Sequence, residues 1–267
     1  MVLPLPVSLT PSKVASFKDC ALAFRFSAID RLPEPPSPAA TKGTLVHRAL
    51  ELLFCEPAPQ RTPATALSCL ATARAEMASD PDYVGLHLDA EAEGRFAEEA
   101  EVLVRRYFEL EDPTTMHPIG LELRLEVALG SLTLRGVIDR LDLDADGGLV
   151  VTDYKTGKVP GVVHEQGRLG GVHFYAFLCE QLLGRRPVRI QLLYLSQPVA
   201  IVARPSDQSL RAMEKRALAI WKAVETACER DDFRPHPSRL CDWCAFRDYC
   251  PAFGGDPARA RELVAVG

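Results

Sequence analysis

The stretch VTDYKTGK, Val151 to Lys158, leaves a short apolar run with an aspartate and a lysine two residues apart. Residues two apart on a strand share a face, so Asp153 and Lys155 point the same way. Upstream, GVIDR places Asp139 on the preceding predicted strand, with the turn-forming DADGG between them. A hairpin closing between Asp144 and Gly148 sets Asp139 directly opposite Asp153, where side chains stand about 4.5–5.5 Å apart. Two carboxylates at that distance repel unless a cation lies between them. The register is an assumption, and a slip of one residue would part them. Two carboxylates beside a lysine make a divalent-metal site with a cation free to handle a water or a phosphate. D-x-K alone is a weak signal and more often an exposed ion pair. His47, in GTLVHRALE, is a further candidate, with Gly43 four residues before it and Glu51 one turn on. A lone histidine on an amphipathic helix is more often a core or boundary residue than a ligand. Imidazole with two carboxylates suits manganese as well as magnesium.

The elements that must hold these residues follow from the pattern. PSKVASFKDCALAFRF reads as a helix with a serine or threonine start and Cys20 at its middle. RLPEPPSPAATKG reads as a proline-rich loop, and GTLVHRALELLF has apolar residues at helical spacing. Residues 56–118 form a helical insertion without recognisable chemistry. From Ile119 the period becomes that of strands: LELRLEVAL, LTLRGVIDRLDL and GLVVTDYK, then VRIQLLYL and VAIVAR. RLGGVHFYAFLCEQLLG reads as a helix closing on Gly184, and SDQSLRAMEKRALAIWKAVETACER as another with Trp221 on its apolar stripe. This order predicts an α/β fold, a central mixed β-sheet flanked by helices, as one domain over residues 1–267.

At 267 residues and 47% hydrophobic the chain can bury a large core. A formal net charge of −5 excludes a global basic field, so any phosphate-binding surface is local. Arg25, Lys42, Arg48, Arg135, Arg140, Lys155 and Lys158 lie around the candidate site in sequence, and Arg185, Arg186 and Arg189 form a separate cluster. Any one of these is more often a solvated charge than a phosphate contact. No apolar run spans a bilayer and the start does not resemble a secretory signal, so the expectation is a cytoplasmic protein with no membrane partner. Eight cysteines then read as buried thiols or metal ligands. Cys241, Cys244 and Cys250 fall within ten positions of a cysteine-rich segment, residues 233–255. Zinc would take these three with His236 as a fourth ligand; an iron–sulfur cluster would prefer a fourth cysteine. Cys55, Cys69, Cys179 and Cys228 read as buried small hydrophobes on apolar helical faces. Trp243 sits among these cysteines in sequence and is expected to pack over the metal centre they would hold.

GTLVHRALE, GVIDR and DYKTG, in that order, resemble the three motifs of the RecB-type branch of the PD-(D/E)xK nucleases. That branch includes the nuclease domains of the RecB and AddB subunits and the CRISPR-adaptation nucleases. The resemblance runs from Cys20 to Cys250 and is weakest after Phe54. It implies a restriction-endonuclease-like fold and a Mg2+ or Mn2+ site held by His47, Asp139, Asp153 and the Tyr154 carbonyl. Lys155 would orient or deprotonate the attacking water; with DNA as substrate, Arg140, Lys158 and Arg48, close to the motifs in sequence, are the expected DNA contacts. It also supplies Cys20 as the fourth ligand of a [4Fe–4S] cluster with Cys241, Cys244 and Cys250, with zinc as the alternative. One departure stands out. The family follows DYK with glutamine and, four residues later, tyrosine. Here Tyr175 matches this pattern and joins the catalytic set, but Gly171 stands in the glutamine's place and Gln166 lies out of register. The implied activity is a metal-dependent DNA exonuclease acting on single-stranded or frayed ends in repair or recombination, with helicase or repair proteins as partners. The rivals are a catalytically weak DNA-binding or partner subunit and a purely structural metal scaffold.

Overall fold

A computed structural model describes residues 2–159 and 161–264; the side chains of residues 162–170, Gln166 among them, and of residues 261–264 lie outside the description. Five strands form one sheet in the order β1-β2-β3-β4-β5: β1 Pro118–Leu129, β2 Leu132–Leu143, β3 Leu149–Lys155, β4 Arg189–Tyr194 and β5 Val199–Ala203. β2 and β3 pair antiparallel, β3 and β4 parallel, β4 and β5 antiparallel. The mixed sheet flanked by helices is therefore the architecture expected from the sequence.

The chain divides into two compact units. The second unit, residues 36–125 and 137–210, carries most of the sheet. The β2–β3 turn closes as the sequence predicts. Asp144 accepts from the Asp146 and Gly148 N–H groups through its carboxylate, and its own N–H reaches the Gly148 carbonyl. Gly147 takes φ +75° there, a conformation that only glycine adopts at low cost. The pairs counted back from this turn reach Arg140↔Thr152. Helix α3, Pro38–Cys55, begins inside the stretch expected to be a proline-rich loop. Ser37 caps it and Pro38 takes the first turn, where a missing N–H costs nothing. Leu45, Val46, Ala49, Leu50, Leu53 and Phe54 form its buried stripe, packed against helices Pro63–Met77 and Ala90–Tyr107 and against Tyr154, Leu193 and Leu195 of the sheet side. A long helix, Val162–Leu183, makes the crossover between the parallel strands β3 and β4 and ends on Gly184 at φ +63°.

The first unit is built from three pieces of chain, residues 1–35, 126–136 and 211–267. Leu9 bridges Leu134 in parallel, and Trp221 Nε1 donates to Ser131 Oγ at 3.0 Å. The expected single N-terminal helix is interrupted. Helix α1, Pro11–Asp19, capped by Thr10, stops at Cys20, whose extended backbone (φ −159°, ψ 111°) separates it from helix α2, Ala21–Phe24, and a π-turn at Arg25–Ile29. Cys20 thus sits at a break rather than mid-helix. The helix Asp207–Arg230 leads into three short 3-10 turns, Arg239–Trp243, Arg247–Tyr249 and Pro251–Phe253, and a last helix, Pro257–Val264. Phe26 meets Phe246 at a tilt and Tyr249 edge-on, with ring centroids 5.4 and 6.3 Å away, bringing the Cys20 region to the cysteine-rich segment. Trp243 does not pack over the cysteines: it is 89% exposed. Cys55 is also exposed, whereas Cys69, Cys179 and Cys228 are buried as expected.

Candidate active site

At the end of the β2–β3 ladder the side chains of Asp139 and Asp153 are both buried. Asp139 Oδ2 accepts the Tyr154 N–H at 2.6 Å, a short bond to a charged acceptor. The same oxygen lies 3.5 Å from His47 Nδ1, and the other nitrogen of that ring is 3.1 Å from the Tyr154 carbonyl. The Tyr154 backbone therefore touches two candidate ligands at once, its N–H on the carboxylate and its carbonyl on the imidazole. Lys155 pairs with Asp153 Oδ2, and the Tyr175 hydroxyl lies close enough to the two aspartates for their charges to act on it. Gly43 explains how helix α3 comes so close. A Cβ there would stand 3.1 Å from Thr156 Oγ1, just beyond the lysine of DYKTG.

Glu122 joins this group, and the sequence reading did not single it out. One donor atom each from His47, Glu122 and Asp139 lies within 4.8 Å of the other two. Glu122 sits mid-strand in β1 yet takes φ +44°, a left-handed conformation unfavourable to a non-glycine residue by roughly 1–2 kcal/mol. A signal for it was present: counting outward across the two-residue turn at Gly130 and Ser131, from Leu129 and Leu132, brings Glu122 to Asp139.

Electrostatics agree with a place prepared for positive charge. Burial disfavours protonation of His47, but its hydrogen bond to Asp139 and the charges of Asp139, Asp153 and Glu122 outweigh it and raise its pKa. Burial, with the Asp139 carboxylate, pushes Asp153 above the usual carboxylate range against the pull of Lys155. Burial raises Glu122 as well, aided by Asp139 and Glu51. Burial and the two aspartates hold the Tyr175 hydroxyl protonated. The donor set of one imidazole, carboxylates and a backbone carbonyl fits magnesium or manganese.

The residues expected to contact DNA divide. Lys158 is exposed. Arg48 binds Glu76 and Glu51, each at 2.7 Å, so its charge is already matched. Arg140 cannot touch DNA: it is 0% exposed, held inside unit two by Glu111 and Asp142 at 2.8 Å each. The expectation failed because GVIDR shows an arginine beside an aspartate but not which face of β2 it takes. Arg25 is likewise buried, paired with Asp30 and Asp231. Gly171 remains in the glutamine's place on the helix that presents Tyr175.

In unit one, the four cysteines implied by the resemblance converge. Cys20, Cys241 and Cys250 all act on Cys244, whose thiol burial pushes up. The His236 N–H donates to Cys20 Sγ at 3.5 Å and the Ser238 N–H to Cys241 Sγ at 3.3 Å, contacts suited to metal-bound sulfur. Zinc at about 2.3 Å from each sulfur would draw its ligands to roughly 3.8 Å from one another. No three of these thiols lie within 4.8 Å of one another among the described residues. The His236 ring turns to the Asp19 carbonyl, with Nδ1 3.0 Å away.

Comparison with known proteins gives one family. The model of the PD-(D/E)XK nuclease superfamily matches residues 8–251. Among solved structures, a Eubacterium rectale protein provisionally named an exonuclease superposes with a TM-score of 0.58 at 12% identity, over 89% of this chain and 87% of that one. At that identity the likeness speaks for the fold. The crystal structure of SSO0001, 16% identical over 50% of this chain and 60% of that one, reaches a TM-score of only 0.33 and carries no argument. No curated protein matches the chain.

Proposed function

This chain belongs to the PD-(D/E)XK nuclease superfamily, and from that premise we propose that it is a metal-dependent deoxyribonuclease of the RecB type, trimming single-stranded or frayed DNA ends. The observation that supports this most is the meeting of His47, Glu122 and Asp139 donor atoms beside the Asp153–Lys155 pair. His47, Glu122, Asp139 and Asp153, with the Tyr154 carbonyl, would hold a Mg2+ or Mn2+ ion. When bound, such an ion supplies an activated water and charge neutralisation at the phosphate. Lys155 orients that water or takes its proton, and stabilises charge developing on the scissile phosphate. The Tyr175 hydroxyl, close to Asp153, would hold that carboxylate in place. Lys158, exposed just beyond Lys155, is free to meet the phosphate backbone.

Cys20, Cys241, Cys244 and Cys250 would carry a structural [4Fe–4S] cluster, with zinc as the alternative; the two N–H to sulfur contacts suit metal-bound thiolates of either kind. Helicase or repair proteins as partners follow from the RecB-type reading alone. Gly171 favours one second reading, a DNA-binding subunit with weak catalysis, since the side chain that the family places there is missing.

Titration of the purified protein with Mn2+, on end-labelled single-stranded and blunt double-stranded DNA, tests the reading. Cleavage that needs the metal, prefers the single strand and disappears in Asp153→Ala supports it. Binding without cleavage at any metal concentration supports the subunit reading, and cleavage retained in Asp153→Ala puts the chemistry elsewhere.

A further inference from the structure

Arg140 has no part in the site as proposed so far, yet it is fully buried in unit two and ringed by polar partners. Its guanidinium donates to Asp142, to both oxygens of Glu111, to the Tyr107 and Tyr154 hydroxyls and to Thr152. Gln191 closes the network, donating to Glu111 at 2.5 Å and to Thr152 at 2.9 Å. The Phe54 ring lies under the guanidinium, 4.4 Å from its carbon. Apolar side chains of similar volume would fill such a core at no loss of stability, so an ionic network here calls for a reason beyond packing.

Its bond to Tyr154 gives the reason. Arg140 Nη1 holds the Tyr154 hydroxyl at 2.8 Å. The ring between meets the His47 imidazole edge-on at 5.8 Å and the Tyr107 ring at 5.9 Å. At its other end the Tyr154 backbone gives its N–H to Asp139 and turns its carbonyl to His47. Arg140 and Asp139, adjacent on β2, thus act on opposite ends of one tyrosine. Fixing the hydroxyl fixes the ring, which fixes the imidazole and the peptide that aims the Asp139 carboxylate.

We propose that Arg140 is a positioning residue for the metal centre, acting through the Tyr154 side chain rather than on DNA. The proposal rests on the reading of His47 and Asp139 as metal ligands. Outer-shell partners of this kind change metal affinity by about 10- to 100-fold.

Tyr154→Phe removes only the hydroxyl, and Arg140→Lys keeps the charge but not the fork. Mn2+ affinity measured calorimetrically on each folded variant, with kcat and the KM for DNA at saturating Mn2+, decides the matter. The expected result is Mn2+ binding weakened about tenfold in Tyr154→Phe, kcat recovered at high Mn2+, and KM for DNA unchanged. Arg140→Lys should behave alike, or worse; if it does not fold, Tyr154→Phe decides alone. Unchanged Mn2+ affinity in folded Tyr154→Phe overturns the proposal, whether stability or KM for DNA moves instead. Asp139→Ala serves as the reference. If it loses Mn2+ while Tyr154→Phe does not, positioning alone fails; if it binds Mn2+ normally, the metal-site reading falls and the proposal with it.

Discussion

Glu122 keeps an unfavourable backbone angle and a carboxylate close to Asp139 and Glu51, both of which disfavour its ionised form. Glu122→Gln removes the repulsion and keeps the shape. Without metal the variant should melt higher, by a fraction of a kcal/mol to about 1 kcal/mol, and it should bind Mn2+ at least tenfold more weakly. A lower melting temperature, or unchanged Mn2+ affinity, would remove Glu122 from the ligand set. Lys155→Met separates roles in the other direction: with the proposed role of Lys155 on water and phosphate rather than on the ion, Mn2+ affinity should hold while kcat drops by about 10²-fold or more. Thiols offer a check independent of the site. Burial pushes Cys179 up to about 12, whereas Cys55 is exposed, so at pH 8 iodoacetamide should label Cys55 quickly and spare Cys179 until the protein unfolds. At this scale the sequence revealed chemistry better than orientation. Asp139, Asp153 and Lys155 were legible because strand period and hairpin counting carry three-dimensional information; His47 and Tyr175, on helices, were joined to them by the resemblance of their motifs. Arg140 and Trp243 were misread because burial depends on elements far away in the chain: Glu111 and Tyr107 for the one, the path of the cysteine-rich turns for the other.

The elements meet through small residues. Gly43 lets α3 lie against the loop after β3, so Gly43→Ala should push Thr156 away by a few tenths of an ångström. Cleavage should weaken without loss of fold, which activity and circular dichroism together would record. Gly255 is stricter: a Cβ would fall 2.3 Å from the Asp248 carbonyl and 2.6 Å from the Cys250 nitrogen, so Gly255→Ala must displace the turn that presents Cys250. On the Tyr175 helix the sign reverses. Gly171→Ala should stabilise by about 1 kcal/mol in thermal melts, and Gly171→Gln should also raise single-strand affinity if the missing side chain weakens DNA positioning. Strands and their order were legible because hydrophobic period and turn residues are local signals. The start of α3 and the break at Cys20 were not. Prolines look like loop until a serine cap makes them a first turn, and one extended residue in a helical pattern leaves no periodic trace.

For the whole molecule, the family and its sheet were legible from three short motifs, while the division into two units was not, because one unit is assembled from three distant pieces of chain. Anaerobically prepared protein should absorb broadly near 400 nm; Cys20→Ser should lose that band together with solubility, and Cys55→Ser should keep both. One zinc and no iron in such protein would overturn the cluster. The same patchwork sets a timetable for synthesis. The chain between Cys20 and Cys241 takes about 10–45 s to make at roughly 5–20 residues per second. Throughout that interval Cys20 has been made and Cys241, Cys244 and Cys250 have not, while the pieces of the sheet unit are complete by residue 210. A metal centre on the four cysteines, as proposed, can therefore be assembled only after Cys250 has been made, later than every piece of the sheet unit.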